Sequence, residues 1–184
     1  MNLEIKLDEA FRNHREKIVD RWVNYTLSTY ESSSFFKKEK DKFANPVGGN
    51  IREALESLFG LLVRNADPKE FVAPLEQIML IRAIQEFAAS VAVGPIHAVK
   101  HITREILAKD KERCHLVQEL YDFEFAVDLA VLAAFDLYMQ CRERLYQVRI
   151  QEIKTGNYIL TDSKCPTNLL KTNIQESIKA VESH

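Results

Sequence analysis

The chain has 184 residues, 46% of them hydrophobic, and its 25 lysines and arginines nearly balance 27 aspartates and glutamates, for a formal net charge of −2. This length predicts one soluble domain whose core needs neither disulfide nor metal. The charge balance argues against nucleic acid as a partner, and no apolar run reaches the roughly 18 residues of a membrane span, so we expect a cytoplasmic protein with no direct membrane insertion.

The N-terminal region predicts two helices before a proline-containing turn. Residues 8–30 are expected to form an amphipathic helix, because Phe11 and Trp22 fall on one face of a helical wheel. Asp8 is the expected N-cap of that helix. A short charged helix is predicted to follow and to end near Phe43.

The next segment, NPVGG at 45–49, predicts a turn, since proline disfavours helical backbone at the residue before it. Asn50 is then the expected N-cap of a helix over 51–64, whose leucines and phenylalanine share one side.

Two further helices are predicted between 67 and about 108. Asp67, followed by a proline, is typical of a helix start, and that helix should reach about Phe87. Ser90 is the best candidate cap for the second. Because Pro95 lies in its opening turns, this helix either begins near Val93 or is kinked at the proline.

A long C-terminal helix is predicted because residues 110–154 contain neither glycine nor proline, and Gly156 stands where a left-handed cap is expected. Apolar side chains recur every three or four positions and form a heptad seam. That seam consists of Leu116, Leu120, Phe123, Val127, Ala130, Ala134, Leu137, Cys141, Leu145 and Val148.

A second apolar face in the middle of this helix contains Phe125, Leu129, Leu132 and Phe135. We expect one face to pack on the domain's own helices and the other on a second copy of the protein. The far half of the seam would be exposed in a monomer, so it is the predicted homodimer contact. These residues are Leu137, Cys141, Leu145 and Val148.

The pattern therefore predicts an all-α fold, a single helical bundle with a long C-terminal helix. It divides the chain into a helical domain over 1–156 and a tail over 157–184, which contains a polar loop and a short amphipathic helix.

Two segments, KFANPVGGNIRE at 42–53 and IRAIQEFAASVA at 81–92, resemble the N-terminal sensor domain of the RsbR/RsbRD family of RsbT co-antagonist proteins. The resemblance covers roughly residues 8–108. Other residues that support it are Arg21, Trp22, Tyr30, Lys100 and the segment 104–107.

This resemblance implies a globin-like helical sensor domain without haem, which binds other proteins and catalyses no reaction. In the family, a STAS output domain with phosphorylatable residues follows and binds the stress kinase. Residues 157–184 are too few to form one. We therefore expect a stand-alone, non-catalytic signal-input or adaptor module in stress or redox signalling, whose partners are other signalling proteins or a larger complex.

Candidate site residues are few. Asn45, Arg82 and Gln85 are predicted to line a cleft between helices where a signal is received, although the segments around them also have a purely architectural interpretation. His97 and His101 have the four-residue spacing of metal ligands, but they share their face with cations. We therefore expect a solvated surface there, with no metal and no cofactor.

No phosphate-binding loop, nucleophile elbow or dinucleotide fingerprint occurs, so we expect no enzymatic activity. Two other functions stay open. One is a helical sensor that binds a small molecule or cofactor between its helices. The other is an accessory subunit of a larger redox or membrane-associated complex.

Overall fold

The computed structural model describes residues 3–30, 45–85 and 87–156, which contain α-helices and short 3-10 helices and no strand. The predicted all-α fold is confirmed. The α-helices are α1 (Leu3–Ser28), α2 (Pro46–Val63), α3 (Val72–Ile84), α4 (Ala89–Ala108) and α5 (Tyr121–Thr155), with 3-10 helices at Pro68–Phe71 and Cys114–Glu119.

The chain divides into two compact units, of which the first ends at Cys141 and the second begins at Arg142. None of the helices in the described ranges is both long and apolar enough to cross a membrane. The predicted loop and short helix over 157–184, and the charged helix predicted to end near Phe43, lie outside the described residues.

The start of α2 differs from the prediction. Pro46 is its first residue, and Asn45 rather than Asn50 is its cap, with Asn45 Oδ1 accepting a hydrogen bond of 2.8 Å from the Gly48 amide. Proline is tolerated there because its missing N–H would have had no acceptor within the helix. A Cβ at Gly48 would lie 2.8 Å from Asn45 Cγ, so the close approach of this cap requires glycine.

The predicted helix start at Asp67 is confirmed, because the Asp67 side chain accepts a hydrogen bond from the Lys69 amide, although the first turn is a 3-10 helix. The predicted end of this helix at about Phe87 is wrong, because α3 ends at Ile84.

Helix α4 begins at Ala89 and passes through Pro95, so a start near Val93 is wrong. A proline normally disfavours helical backbone at the preceding residue through a clash with its Cβ. The preceding residue is Gly94, which has no Cβ, and this allows the helix to continue.

The long helix is shorter than predicted, because it begins at Tyr121 and not near Asp110. The Asp110 side chain accepts a hydrogen bond from the Glu112 amide, and its carbonyl accepts one from the Arg113 amide. Such local bonds compete with helix formation and favour a turn. The predicted end is confirmed by Gly156, whose φ is +69°. At 1.5 Å per residue, α5 is about 52 Å long.

An aromatic cluster joins α1, α2 and α5 in the first unit. The ring of Phe11 lies 5.0 Å from that of Phe123 and 6.1 Å from that of Phe59. The inner face of α5 is buried, as expected for Phe123, Val127, Ala130 and Ala134. Leu137 and Cys141 are buried as well, although the sequence predicted that they would be exposed in a monomer.

A polar contact fixes α1 to the segment after α4. His14 Nε2 lies 2.8 Å from Asp110 Oδ2, and the Arg113 guanidinium lies 3.3 Å from the same oxygen. The hydrogen bond from His14 is the largest cause that lowers the pKa of Asp110 from 3.8 to about 2. Because the folded-state pKa is the lower one, this contact stabilises the fold above the ordinary pKa and is lost as the pH falls towards 2.

The first prediction concerns this pair. Asp110→Asn should lower the thermal midpoint by a few degrees at pH 7, and the difference from the parent should shrink between pH 5 and pH 3. Circular dichroism melts at several pH values measure it. The matched control is Asp8→Asn at an exposed position of α1. If the Asp110→Asn difference is the same at all pH values, the ionised pair does not contribute as described.

Candidate functional site

The three residues of the predicted cleft have different positions in the structure. Arg82 is completely buried in the last turn of α3, Gln85 is the exposed C-cap of that helix, and Asn45 is the buried N-cap of α2. Their common cleft stays a prediction. Arg82 alone lies at a junction of several helices, so its surroundings are the candidate functional site.

The guanidinium of Arg82 is held by two aromatic rings and two oxygens. Its Cζ lies 4.4 Å from the ring centroid of Phe87 and 5.0 Å from that of Tyr30. Its Nη2 donates hydrogen bonds of 3.0 Å to Thr29 Oγ1 and 2.8 Å to the Val91 carbonyl. The end of α1, the end of α3 and the start of α4 therefore meet at one cation.

The Val91 carbonyl needs this donor because of Pro95. In a helix, a carbonyl accepts from the amide four residues later, and proline has no amide hydrogen. Arg82 supplies the missing donor from a neighbouring helix. The Pro95 carbonyl is also bound from outside α4, since Trp22 Nε1 donates a hydrogen bond of 2.7 Å to it.

Arg82 is stabilised without a partner carboxylate among the described residues. The groups there that favour its charge are the phenols of Tyr30 and Tyr138. Burial is the largest effect and lowers the pKa of Arg82, and burial likewise raises the pKa of Tyr30 against the opposing influence of Arg82. A desolvated cation over an aromatic face gains about 2 kcal/mol, which partly offsets the loss of hydration.

The site also contacts α5. The Tyr138 hydroxyl donates a hydrogen bond to the carbonyl of Phe87, the residue whose ring covers Arg82. The rings of Phe87 and Tyr30 are themselves packed edge to face at 5.3 Å. Phe87 therefore contacts Arg82 through its ring and Tyr138 through its backbone carbonyl.

Histidines 97 and 101 are exposed on α4, and His101 Nε2 lies 2.8 Å from Glu105 Oε1. Within the described ranges, no three histidine, cysteine, aspartate or glutamate side chains form a group that could hold a metal ion.

The predicted dimer contact is only partly exposed in the single chain. Leu137 and Cys141 are buried, Leu145 is half-buried and Val148 is exposed. The expectation that all four would be exposed in a monomer is therefore wrong. The second apolar face of α5 is the outward one, and its exposed side chains include Phe125, Leu132, Phe135 and Met139.

The comparisons with known proteins are consistent with the resemblance in the sequence. A family model described as "RsbT co-antagonist protein rsbRD N-terminal domain" matches residues 16–153. This match includes the second half of α1, all of α2 to α4 and nearly all of α5. Searches of curated proteins and of solved structures found no significant match. The globin-like arrangement stays a prediction.

The second prediction tests the link between Arg82 and Pro95. Arg82→Met should reduce the free energy of unfolding by about 2–3 kcal/mol, because it removes the cation–π contacts and leaves the Val91 carbonyl without a donor. In a Pro95→Ala background the new amide at 95 can donate to Val91. Arg82→Met should then cost about 1 kcal/mol less. Urea unfolding of the four proteins gives this coupling, and strictly additive costs would contradict it.

Proposed function

Since this chain belongs to the family of RsbT co-antagonist RsbRD N-terminal domains, we propose that it passes a signal on through protein contacts made by helix α5. The family is one of stress-signalling input domains. Beyond this, we propose that the domain passes its signal on through protein contacts, that α5 makes these contacts, and that the domain catalyses no reaction.

The observation that carries the proposal is the outer face of α5. Four large apolar side chains are exposed there, with Phe125 at 54%, Leu132 at 64%, Phe135 at 46% and Met139 at 48%. Soluble monomers seldom expose contiguous apolar patches of this kind, and such patches commonly mark interaction sites. The face therefore suits a protein partner.

The spacing of the face indicates what kind of partner fits. Phe125, Leu132 and Met139 are each seven residues apart, and Tyr146 and Ile153 continue this interval in the sequence. A seven-residue apolar repeat is the pattern by which one helix pairs with another. We propose a second copy of this chain as the partner, since a twofold dimer pairs the same patch from both subunits.

The dimer contact that we propose is therefore on a different face of α5 from the contact predicted from the sequence. Leu137 and Cys141 fill the core of the chain that contains them, and the neighbouring positions Leu132, Phe135 and Met139 face outward. Tyr138 is also buried, and its hydroxyl donates a hydrogen bond to the Phe87 carbonyl beside Arg82. We propose that a change at Arg82 reaches the dimer face through Tyr138.

The third prediction is that the parent protein is a dimer and that Leu132→Glu with Phe135→Glu makes it a folded monomer. Both substitutions change exposed side chains, so the monomer should lose no more than about 0.5 kcal/mol per site. In a dimer, the same carboxylates would be buried without partners. Light scattering coupled to size exclusion measures the mass, and circular dichroism checks the helix content.

The matched control is Gln140→Glu, which adds a carboxylate at an exposed position of the same helix outside the apolar stripe. It should remain dimeric. A parent protein that is monomeric at tens of micromolar would refute the second copy as the partner. If Gln140→Glu dissociates the dimer as fully as the double variant, the interface lies elsewhere on α5.

A further inference from the structure

A groove of about 410 Å³ lies between α1 and α4, and its lining includes neither Arg82 nor any residue of α5. Its lining residues are Arg21, Tyr25, Gly94, His97, Ala98, His101 and Ile102. Volumes of this size are typical of sites for small molecules.

The floor of the groove is apolar and open. The side chain of Tyr25 is 49% exposed, although its neighbour Trp22 is fully buried. A Cβ placed at Gly94 would meet no atom within 4 Å. An aromatic or short aliphatic group can therefore lie beside Tyr25 over Gly94 and Ala98 without displacing the backbone.

The rim is polar, and Arg21 is the permanently charged residue among those that line the groove. Its guanidinium donates a hydrogen bond to Glu105, and His101 Nε2 lies 2.8 Å from Oε1 of the same carboxylate. Arg21 is about half exposed, and its carboxylate partner is a third exposed, so solvent and ligands can reach both. An incoming anion would therefore compete with Glu105 for the Arg21 guanidinium.

We propose that this groove binds a small organic anion with an apolar body, such as an aryl carboxylate. The carboxylate would contact Arg21 in competition with Glu105, and the ring would lie on Tyr25. The groove extends along α4 from Gly94 to Ile102, about 12 Å at the helical rise, which suits a small molecule better than a partner helix. This inference rests on the proposed function, because it identifies the input that a signalling domain receives.

The test is a titration of the full chain with benzoate, followed by ¹H–¹⁵N correlation spectra. The chain has only five glycines, so the Gly94 amide is a convenient reporter. Benzoate should shift Gly94 and the residues around it with a dissociation constant of about 1–10 mM, as expected for a ligand of this size. Benzamide, which has the same shape without charge, and acetate, which has the charge without the ring, should each bind several-fold more weakly.

Four substitutions make the test specific. Ala98→Leu fills the groove and should abolish the shifts, whereas Asn24→Leu adds the same side chain on an exposed part of α1 outside the groove and should leave them unchanged. Arg21→Gln should weaken binding by about fivefold. Glu105→Gln removes the competing carboxylate and should strengthen binding by about threefold, an effect that a merely structural ion pair would not produce.

The proposal is overturned if benzoate leaves Gly94 unshifted at 50 mM, if benzamide binds as tightly as benzoate, or if Ala98→Leu binds as the parent does. Repeating the titration with the Leu132→Glu, Phe135→Glu variant shows whether benzoate binding in the groove is independent of the proposed α5 contact. Binding there with the parent constant supports the groove, whatever the oligomeric state. Absence of binding in a dimeric parent refutes the groove and leaves the α5 contact standing.

Discussion

One buried cation connects the helices of the first unit. Pro95 leaves the Val91 carbonyl without its helical donor, and Arg82 supplies that donor from α3 while its guanidinium lies between two aromatic rings. A buried carbonyl without a partner costs about 1–3 kcal/mol, a large part of the 5–15 kcal/mol that stabilises a typical domain. Arg82 therefore stabilises the path of α4 through Pro95 by supplying this donor.

The sequence allows the helices to be predicted but not all of their ends. Periodicity identifies each helix because one side must be apolar to form the core. The ends are decided by a few local hydrogen bonds, and the predicted ends are wrong at the starts of α1, α2 and α5 and at the end of α3. Asn45 rather than Asn50 caps α2 because Gly48 allows its side chain to approach, and the turn at Asp110 replaces a helical turn that propensity alone favours.

The candidate site was predictable only in part. Arg82 stood out through the family resemblance, whereas its ring partners Tyr30 and Phe87 come from distant and non-helical positions that no spacing rule connects. The missing donor for the Val91 carbonyl could be predicted from the sequence, since any proline inside a helix leaves the carbonyl four residues earlier without its donor.

For α5, the two apolar faces follow from the sequence. Which of them faces outward depends on how α1, α2 and α5 pack, and the aromatic cluster around Phe123 decides it.

In this account, Arg82 is the junction through which a change in the domain reaches α5, by way of Phe87 and Tyr138. Hydrogen–deuterium exchange of Arg82→Met, compared with the parent, tests this most directly. The account predicts faster exchange in the last turn of α1, at the start of α4 and around Tyr138, with α2 unchanged. Uniformly faster exchange throughout the chain would show only general destabilisation, and unchanged exchange around Tyr138 would contradict the connection to α5.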